Sequence, residues 1–115
     1  MNLDFFPEKL RAAVLDVATL VQQAGGRAFL VGGAVRDLML GIPLKDIDIE
    51  VFGLMPDALK TVLAAHYDLD LVGLSFGVLK FHHLDIDVSL PRRESKRGLG
   101  HKGFEISSDP SLTVA

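Results

Sequence analysis

Two short segments of this chain alternate strictly between polar and aliphatic residues: DIDIEV at 46–51 and LDIDVSL at 84–90. Successive side chains of a β-strand point to opposite faces, so this alternation predicts two strands, each with one aliphatic and one acidic face. An aliphatic strand face has to be buried against another layer of structure. The chain is therefore expected to form a sheet that is covered on one side and acidic on the other.

The remaining periodicity supplies helices for the covering layer. Apolar spacing and Gly or Pro boundaries predict helices over 8–24, 34–40 and 56–67, and further strands over 28–31, 69–72 and 76–82. The last strand and the acidic strand at 84–90 are close enough to form a hairpin that turns near His82 and His83. We predict one α/β (α+β) domain over residues 1–115, a mixed sheet with helices on one face and an acidic patch on the other.

Composition excludes several classes of protein. The chain has no cysteine, so disulfides and thiolate metal sites are excluded, and it has neither a signal-peptide pattern nor an apolar run long enough for a membrane span. We expect a cytoplasmic protein with no membrane partner.

The net charge is −3, but residues 91–103 hold five basic side chains against one acid, a net +4. This basic segment is interpreted as a mobile loop that is either solvated or in contact with phosphate.

The first acidic strand can hold divalent metal. Asp46 and Asp48 are two residues apart, so their carboxylates are expected on one face, about 6.5 to 7 Å apart along the strand. Mg²⁺ prefers oxygen ligands and takes one or two protein carboxylates together with substrate phosphates. Taken alone, this strand is better interpreted as the solvated face of an edge strand. A second acidic strand beside it favours a site instead, because it would crowd like charges that a metal ion neutralises.

The pair Gly32-Gly33 stands between a predicted strand and a predicted helix. Glycines in such a turn allow backbone N–H groups to approach a phosphate, and the helix N-terminus adds partial positive charge. Arg36, one turn into the helix, can reach the same phosphates or pair with Asp37. The segment matches neither the Rossmann nor the Walker pattern.

Taken as one block, LVGGAVRDLMLGIPLKDIDIEVFG at 30–53 closely resembles the signature of the class II tRNA nucleotidyltransferase and poly(A) polymerase family, within the polymerase β-type superfamily. The family pattern is a strand, a Gly-Gly turn, a helix with Arg-Asp, a Leu-Gly stop and Asp-x-Asp on the next strand. The resemblance continues through FGVLKFHHLDIDVSLPRRE and the basic segment, from about residue 25 onward.

The resemblance implies roles for individual residues. Asp46 and Asp48 would hold two Mg²⁺ ions, with Mn²⁺ as a substitute, and Gly32, Gly33 and Arg36 would bind the triphosphate of the incoming nucleotide. Asp87 best matches the third catalytic carboxylate, and Asp85 is its rival.

The implied activity is template-free addition of nucleotides to an RNA 3′ end. Its partners would be ATP or CTP and an RNA, with tRNA CCA addition preferred over poly(A) addition. The base-reading and tRNA-gripping parts of the family would follow Ala115, so we expect an incomplete head that is inactive alone. The alternatives are a non-catalytic nucleotide- or metal-binding module and a small stand-alone nucleotidyltransferase with another target.

Overall fold

The described residues form a single mixed sheet and two α-helices that pack on it. A computed structural model describes residues 8–32, 40, 46–91, 104–106 and 112–114. The helices are α1 (Glu8–Gln23) and α2 (Pro56–Ala64). The strands are β1 (Arg27–Val31), β2 (Ile47–Phe52), β3 (Leu69–Asp70), β4 (Val78–Phe81), β5 (Ile86–Ser89), β6 (Phe104–Ile106) and β7 (Leu112–Val114).

The strand order across the sheet is β3-β4-β5-β2-β1-β6-β7. The pair β2–β5 is parallel and the other neighbouring pairs are antiparallel. The two acidic strands are therefore adjacent at the centre of the sheet, although α2, β3 and β4 separate them in sequence. The predicted mixed sheet is confirmed.

Both helices pack on the aliphatic face of the sheet. In α1, fully buried Val14, Val17 and Val21 recur at spacings of three and four residues, which places them on one side of the helix. They join one core cluster with the aliphatic residues of the central strands, including Ile49 of β2 and Val88 of β5. The prediction of helices on one face is confirmed for α1 and α2.

Several element boundaries differ from the prediction. Helix α2 ends at Ala64 rather than near 67, and β3 is only two residues long. Residues Leu74–Phe76 form a 3₁₀ turn instead of opening β4. The predicted hairpin is confirmed, because β4 and β5 pair antiparallel around the bend at 82–85.

Strands β6 and β7 are two elements that the sequence did not predict. Residues 104–106 pair with β1 and residues 112–114 pair with β6. Three-residue strands are too short to show the alternation by which strands are recognised in sequence. The helix predicted at 34–40 and the basic segment at 92–103 lie outside the described residues, apart from Leu40, which is helical.

A polar contact joins the helical layer to the sheet. The hydroxyl of Tyr67 donates a hydrogen bond of 2.5 Å to Asp16 of α1, and its ring packs against Phe81 of β4 with centroids 4.9 Å apart. Partial burial and this bond raise the pKa of Tyr67. Within the described residues, none of the helices has the length and apolar character of a membrane span.

Candidate functional site

The two acidic strands meet in register. Asp48 of β2 is the direct partner of Asp87 of β5, and Ile47 precedes it opposite Ile86. The backbone N–H of Ile47 donates a 2.8 Å hydrogen bond to the carbonyl of Asp85, which ties the beginnings of the two strands together. Partners in neighbouring strands stand about 4.8 Å apart, so the side chains of Asp48 and Asp87 lie side by side on the face opposite the helices.

Negative charge is concentrated around Asp48. Partial burial raises the pKa of Asp48, and the charges of Asp87 and Asp46 raise it further. Asp46 is exposed and immediately precedes Ile47, the first residue of β2, so it lies just before the strand rather than within it. Asp87 is the partner of Asp48 across the sheet, and Asp46 stands two residues before Asp48 along the chain.

The glycine turn lies close to the carboxylate of Asp48. Gly32 follows β1 directly and has a φ of +72°, a left-handed conformation that L side chains rarely adopt. A Cβ atom at this position would lie 3.1 Å from Oδ2 of Asp48. The absence of a side chain at Gly32 therefore lets the backbone turn pass close to the carboxylate. The neighbouring Gly33 and Arg36 lie outside the described residues.

Lys80 of β4 is a member of this site that the sequence reasoning missed. Its Nζ lies 3.0 Å from Oδ2 of Asp87 and donates a hydrogen bond to it. The two residues are register partners in the β4–β5 hairpin, so they share a face. The signal was present in the sequence, since a predicted hairpin between 76–82 and 84–90 allows Lys80 to stand opposite Asp87.

Asp85, the rival of Asp87, occupies a different place. It is exposed in the bend before β5 rather than in the strand, and it is not among the charges that raise the pKa of Asp48. Its backbone carbonyl, rather than its carboxylate, connects it to β2. The register therefore places Asp87, rather than Asp85, beside Asp48.

Aromatic and ionic contacts join β1 to its two neighbouring strands, β2 and β6. Phe29 of β1 is 2% exposed and meets Phe52 of β2 edge to face, with centroids 5.4 Å apart. Arg27 donates two hydrogen bonds, of 2.9 and 2.8 Å, to the carboxylate of Glu105 on β6. These bonds lower the pKa of Glu105, and they link β6 to β1.

The donor set suits a hard divalent cation, although it is not a complete protein cage. Among the described residues, no group of three or more His, Cys, Asp or Glu side chains is arranged to hold a metal ion by itself. Mg²⁺ needs only one or two protein carboxylates when substrate phosphates complete its shell. Asp46 and Asp48 are oxygen donors in a crowded anionic position, and the Lys80 ammonium already balances the third carboxylate. The residues therefore fit such an ion.

Comparisons with known proteins agree with this geometry. Residues 28–100 match the family described as the Poly A polymerase head domain. A multifunctional CCA protein of Methylobacillus flagellatus is 39% identical over 88 residues, which cover 76% of this chain and 20% of that protein. This chain thus spans about a fifth of the length of that relative.

Two solved structures show the same fold. A CCA-adding enzyme in complex with ATP superposes with a TM-score of 0.77 at 20% identity, covering 99% of this chain and 32% of that one. The Thermotoga maritima CCA-adding enzyme complexed with tRNA gives a TM-score of 0.76 at 19% identity, covering 100% of this chain and 32% of that one. The predicted nucleotidyltransferase head fold is confirmed.

Proposed function

This chain belongs to the Poly A polymerase head-domain family, and on that premise we propose that it is the catalytic head of a nucleotidyltransferase that lengthens RNA 3′ ends without a template. The observation that carries the proposal is the pairing of Asp48 with Asp87 across parallel strands, beside the Gly32 turn and close to Asp46. A phosphate turn and a carboxylate cluster in one place are what transfer of a nucleotidyl group requires.

The proposed reaction forms one bond and breaks one. The RNA 3′-hydroxyl oxygen attacks the α-phosphorus of a nucleoside triphosphate, the bond from that phosphorus to the β-phosphate oxygen breaks, and pyrophosphate leaves. The hydroxyl proton must be removed, and Asp87 is the carboxylate proposed to draw it away. Gly32, Gly33 and Arg36 are proposed to hold the triphosphate through backbone N–H groups and a guanidinium.

Asp46 and Asp48 are the proposed ligands of two Mg²⁺ ions, which Mn²⁺ can replace. When bound, the metals would lower the pKa of the attacking hydroxyl and neutralise charge on the leaving oxygen. Burial and neighbouring negative charge raise the pKa of Asp48 in the protein without metal. A divalent cation reverses that balance and favours the ionised carboxylate.

The proposed partners follow from the family and from the named relatives. ATP and CTP are the proposed nucleotides and a tRNA 3′ end is the proposed acceptor, with CCA addition preferred over poly(A) addition. A multifunctional CCA protein is a relative at 39% identity, and CCA-adding enzymes in complex with ATP and with tRNA share the fold. Because this chain spans about a fifth of that relative's length, we assign it the nucleotide-transferring part of such an activity.

A thermal-shift experiment tests the metal site on which the proposal depends. Mg²⁺ or Mn²⁺ should raise the melting temperature of the 115-residue chain, because a ligand that binds only the folded state stabilises it. The double substitution Asp46→Asn and Asp48→Asn should abolish that shift. The control Asp57→Asn removes one carboxylate from the exposed first turn of α2, on the helical layer, and should preserve the shift. A shift that survives the double substitution would place the metal elsewhere.

A further inference from the structure

A single row of charged side chains crosses four neighbouring strands. Asp70 of β3 is the register partner of Lys80, Lys80 is the partner of Asp87, and Asp87 is the partner of Asp48. Residues paired in this way share one face of the sheet. The row therefore reads Asp, Lys, Asp, Asp from the β3 edge to the centre, so Lys80 is the one cation in the row among three carboxylates.

Lys80 acts on more than its nearest partner. Its hydrogen bond to Asp87 is the largest cause that raises the pKa of its ammonium, and the charges of Asp48 and Asp70 add to the effect. In the reverse direction, Lys80 is the charge that opposes the rise in the pKa of Asp48. Asp46, beyond the beginning of β2, is a further negative charge near Asp48.

We propose that Lys80 is a resident counterion of the catalytic carboxylates, which stabilises the acidic face in the absence of metal and lowers its affinity for divalent cations. The inference rests on the proposed metal site at Asp46 and Asp48. It adds a residue that sets how tightly this site takes metal.

The physical argument has two opposite consequences. Without metal, the ammonium reduces the repulsion between the adjacent carboxylates of Asp48 and Asp87, so it favours the folded state. With metal, the same positive charge repels the incoming ion and holds the carboxylate of Asp87 through its 3.0 Å hydrogen bond. The side chain of Lys80 is 58% exposed, so the ammonium can swing into solvent when a stronger cation arrives.

The test compares Lys80→Gln with wild type in two measurements. Melting temperatures in EDTA report the metal-free fold, and titration of Mn²⁺ followed by electron paramagnetic resonance of the free ion reports affinity. We expect Lys80→Gln to melt at a lower temperature in EDTA and yet bind Mn²⁺ about three- to tenfold more tightly, because it removes one solvent-screened unit charge from the row of carboxylates. If Lys80 had only a structural role, Lys80→Gln would lower both the melting temperature and the affinity for Mn²⁺.

Two further variants make the result specific to this position. Lys9→Gln removes the same charge from the exposed surface of α1, on the helical side, and should leave Mn²⁺ affinity within about twofold of wild type, because α1 lies on the opposite side of the sheet and solvent screens an exposed charge. Lys80→Arg keeps the charge and should resemble wild type in both measurements.

The outcomes separate this inference from the function on which it rests. Unchanged or weaker Mn²⁺ binding by Lys80→Gln, or an unaltered melting temperature in EDTA, would overturn the counterion role. If wild type binds no Mn²⁺, or the Asp46 and Asp48 double variant still binds it, the proposed metal site fails. In that case the melting temperatures of Lys80→Gln, Lys9→Gln and Lys80→Arg in EDTA still decide whether Lys80 compensates the carboxylates.

Discussion

Asp48 and Asp87 are direct partners across the parallel pair β2–β5, although 39 positions separate them in the sequence. Their side chains lie on the face of the sheet opposite α1 and α2, next to the turn at Gly32. Two carboxylates held side by side repel each other, and the fold tolerates this arrangement at its centre. The relationship leads to measurable consequences for stability, for metal binding and for catalysis.

The first prediction concerns the pH dependence of stability without metal. Because burial and Asp87 raise the pKa of Asp48, the folded chain binds this proton more tightly than the unfolded chain does. The stabilising contribution is thus fully present below the unfolded pKa, about 3.9, and is lost as pH rises through the folded value. Asp48→Asn should therefore raise the melting temperature at pH 7 in EDTA, and the gain should shrink toward pH 4.

The matched control for that experiment is Asp57→Asn, which removes an exposed carboxylate from the first turn of α2. An acid at a helix N-terminus is favourable, so this variant should not gain stability at pH 7. Equal melting temperatures for wild type and Asp48→Asn across the pH range would show that the ionised carboxylate of Asp48 does not destabilise the folded chain.

The second prediction concerns the glycine turn. Gly32→Ala should lower both the melting temperature and the affinity for Mn²⁺, because its φ is +72° and the new methyl group would lie 3.1 Å from Oδ2 of Asp48. Gly25→Ala is the control, since its φ is +97° but nothing lies within 4 Å of the added Cβ. Both variants should lose about 1 kcal/mol of stability from the left-handed backbone. Weakened Mn²⁺ binding by both to the same extent would contradict a specific role for Gly32.

The third prediction concerns the core beneath the acidic face. Ile49 lies on β2, the strand between β1 and β5, and is completely buried, so Ile49→Ala should reduce the free energy of unfolding by about 2–5 kcal/mol. Val72 is 87% exposed, and Val72→Ala should change the free energy by less than about 0.5 kcal/mol. Urea unfolding followed by circular dichroism measures both. Similar losses for the two variants would mean that β2 is not central to the core.

The fourth prediction is that the 115-residue chain binds nucleoside triphosphates weakly, with metal, and without base preference. The residues proposed to contact the nucleotide are the glycine turn and Arg36, which address phosphates rather than base edges. Calorimetric titration with ATP, CTP, GTP and UTP checks this. A preference above about tenfold, or 1.4 kcal/mol, would show that base recognition lies within these residues.

The fifth prediction is that these 115 residues do not extend RNA by themselves. Phosphoryl transfer depends on alignment of primer and nucleotide as well as on metal, and a net charge of +4 at 91–103 is a small anchor for tRNA at physiological salt. With tRNA lacking its 3′ end, Mg²⁺ and labelled CTP or ATP, extension should not exceed that of the double variant of Asp46 and Asp48. Robust extension would favour a self-sufficient small transferase.

Local sequence determined most of the individual elements, because helices and strands with one buried face carry a period that can be read directly. Apolar spacing predicted α1, and the alternation at 46–51 and 84–90 predicted two strands with acidic faces. The Gly-Gly turn and the two acidic strands, taken together, identified the family. Strands β6 and β7 escaped prediction, since three residues are too few for a period to appear.

Only the tertiary structure decided which acidic side chains meet. Alternation shows that Asp48 and Asp87 each belong to an acidic face, but pairing between distant strands depends on how the whole sheet buries its aliphatic side. The parallel register puts Asp87 rather than Asp85 beside Asp48, and the β4–β5 hairpin brings Lys80 to within 3.0 Å of Asp87. The sequence by itself determined the chemistry of the site, and the sheet topology determined which charges share it.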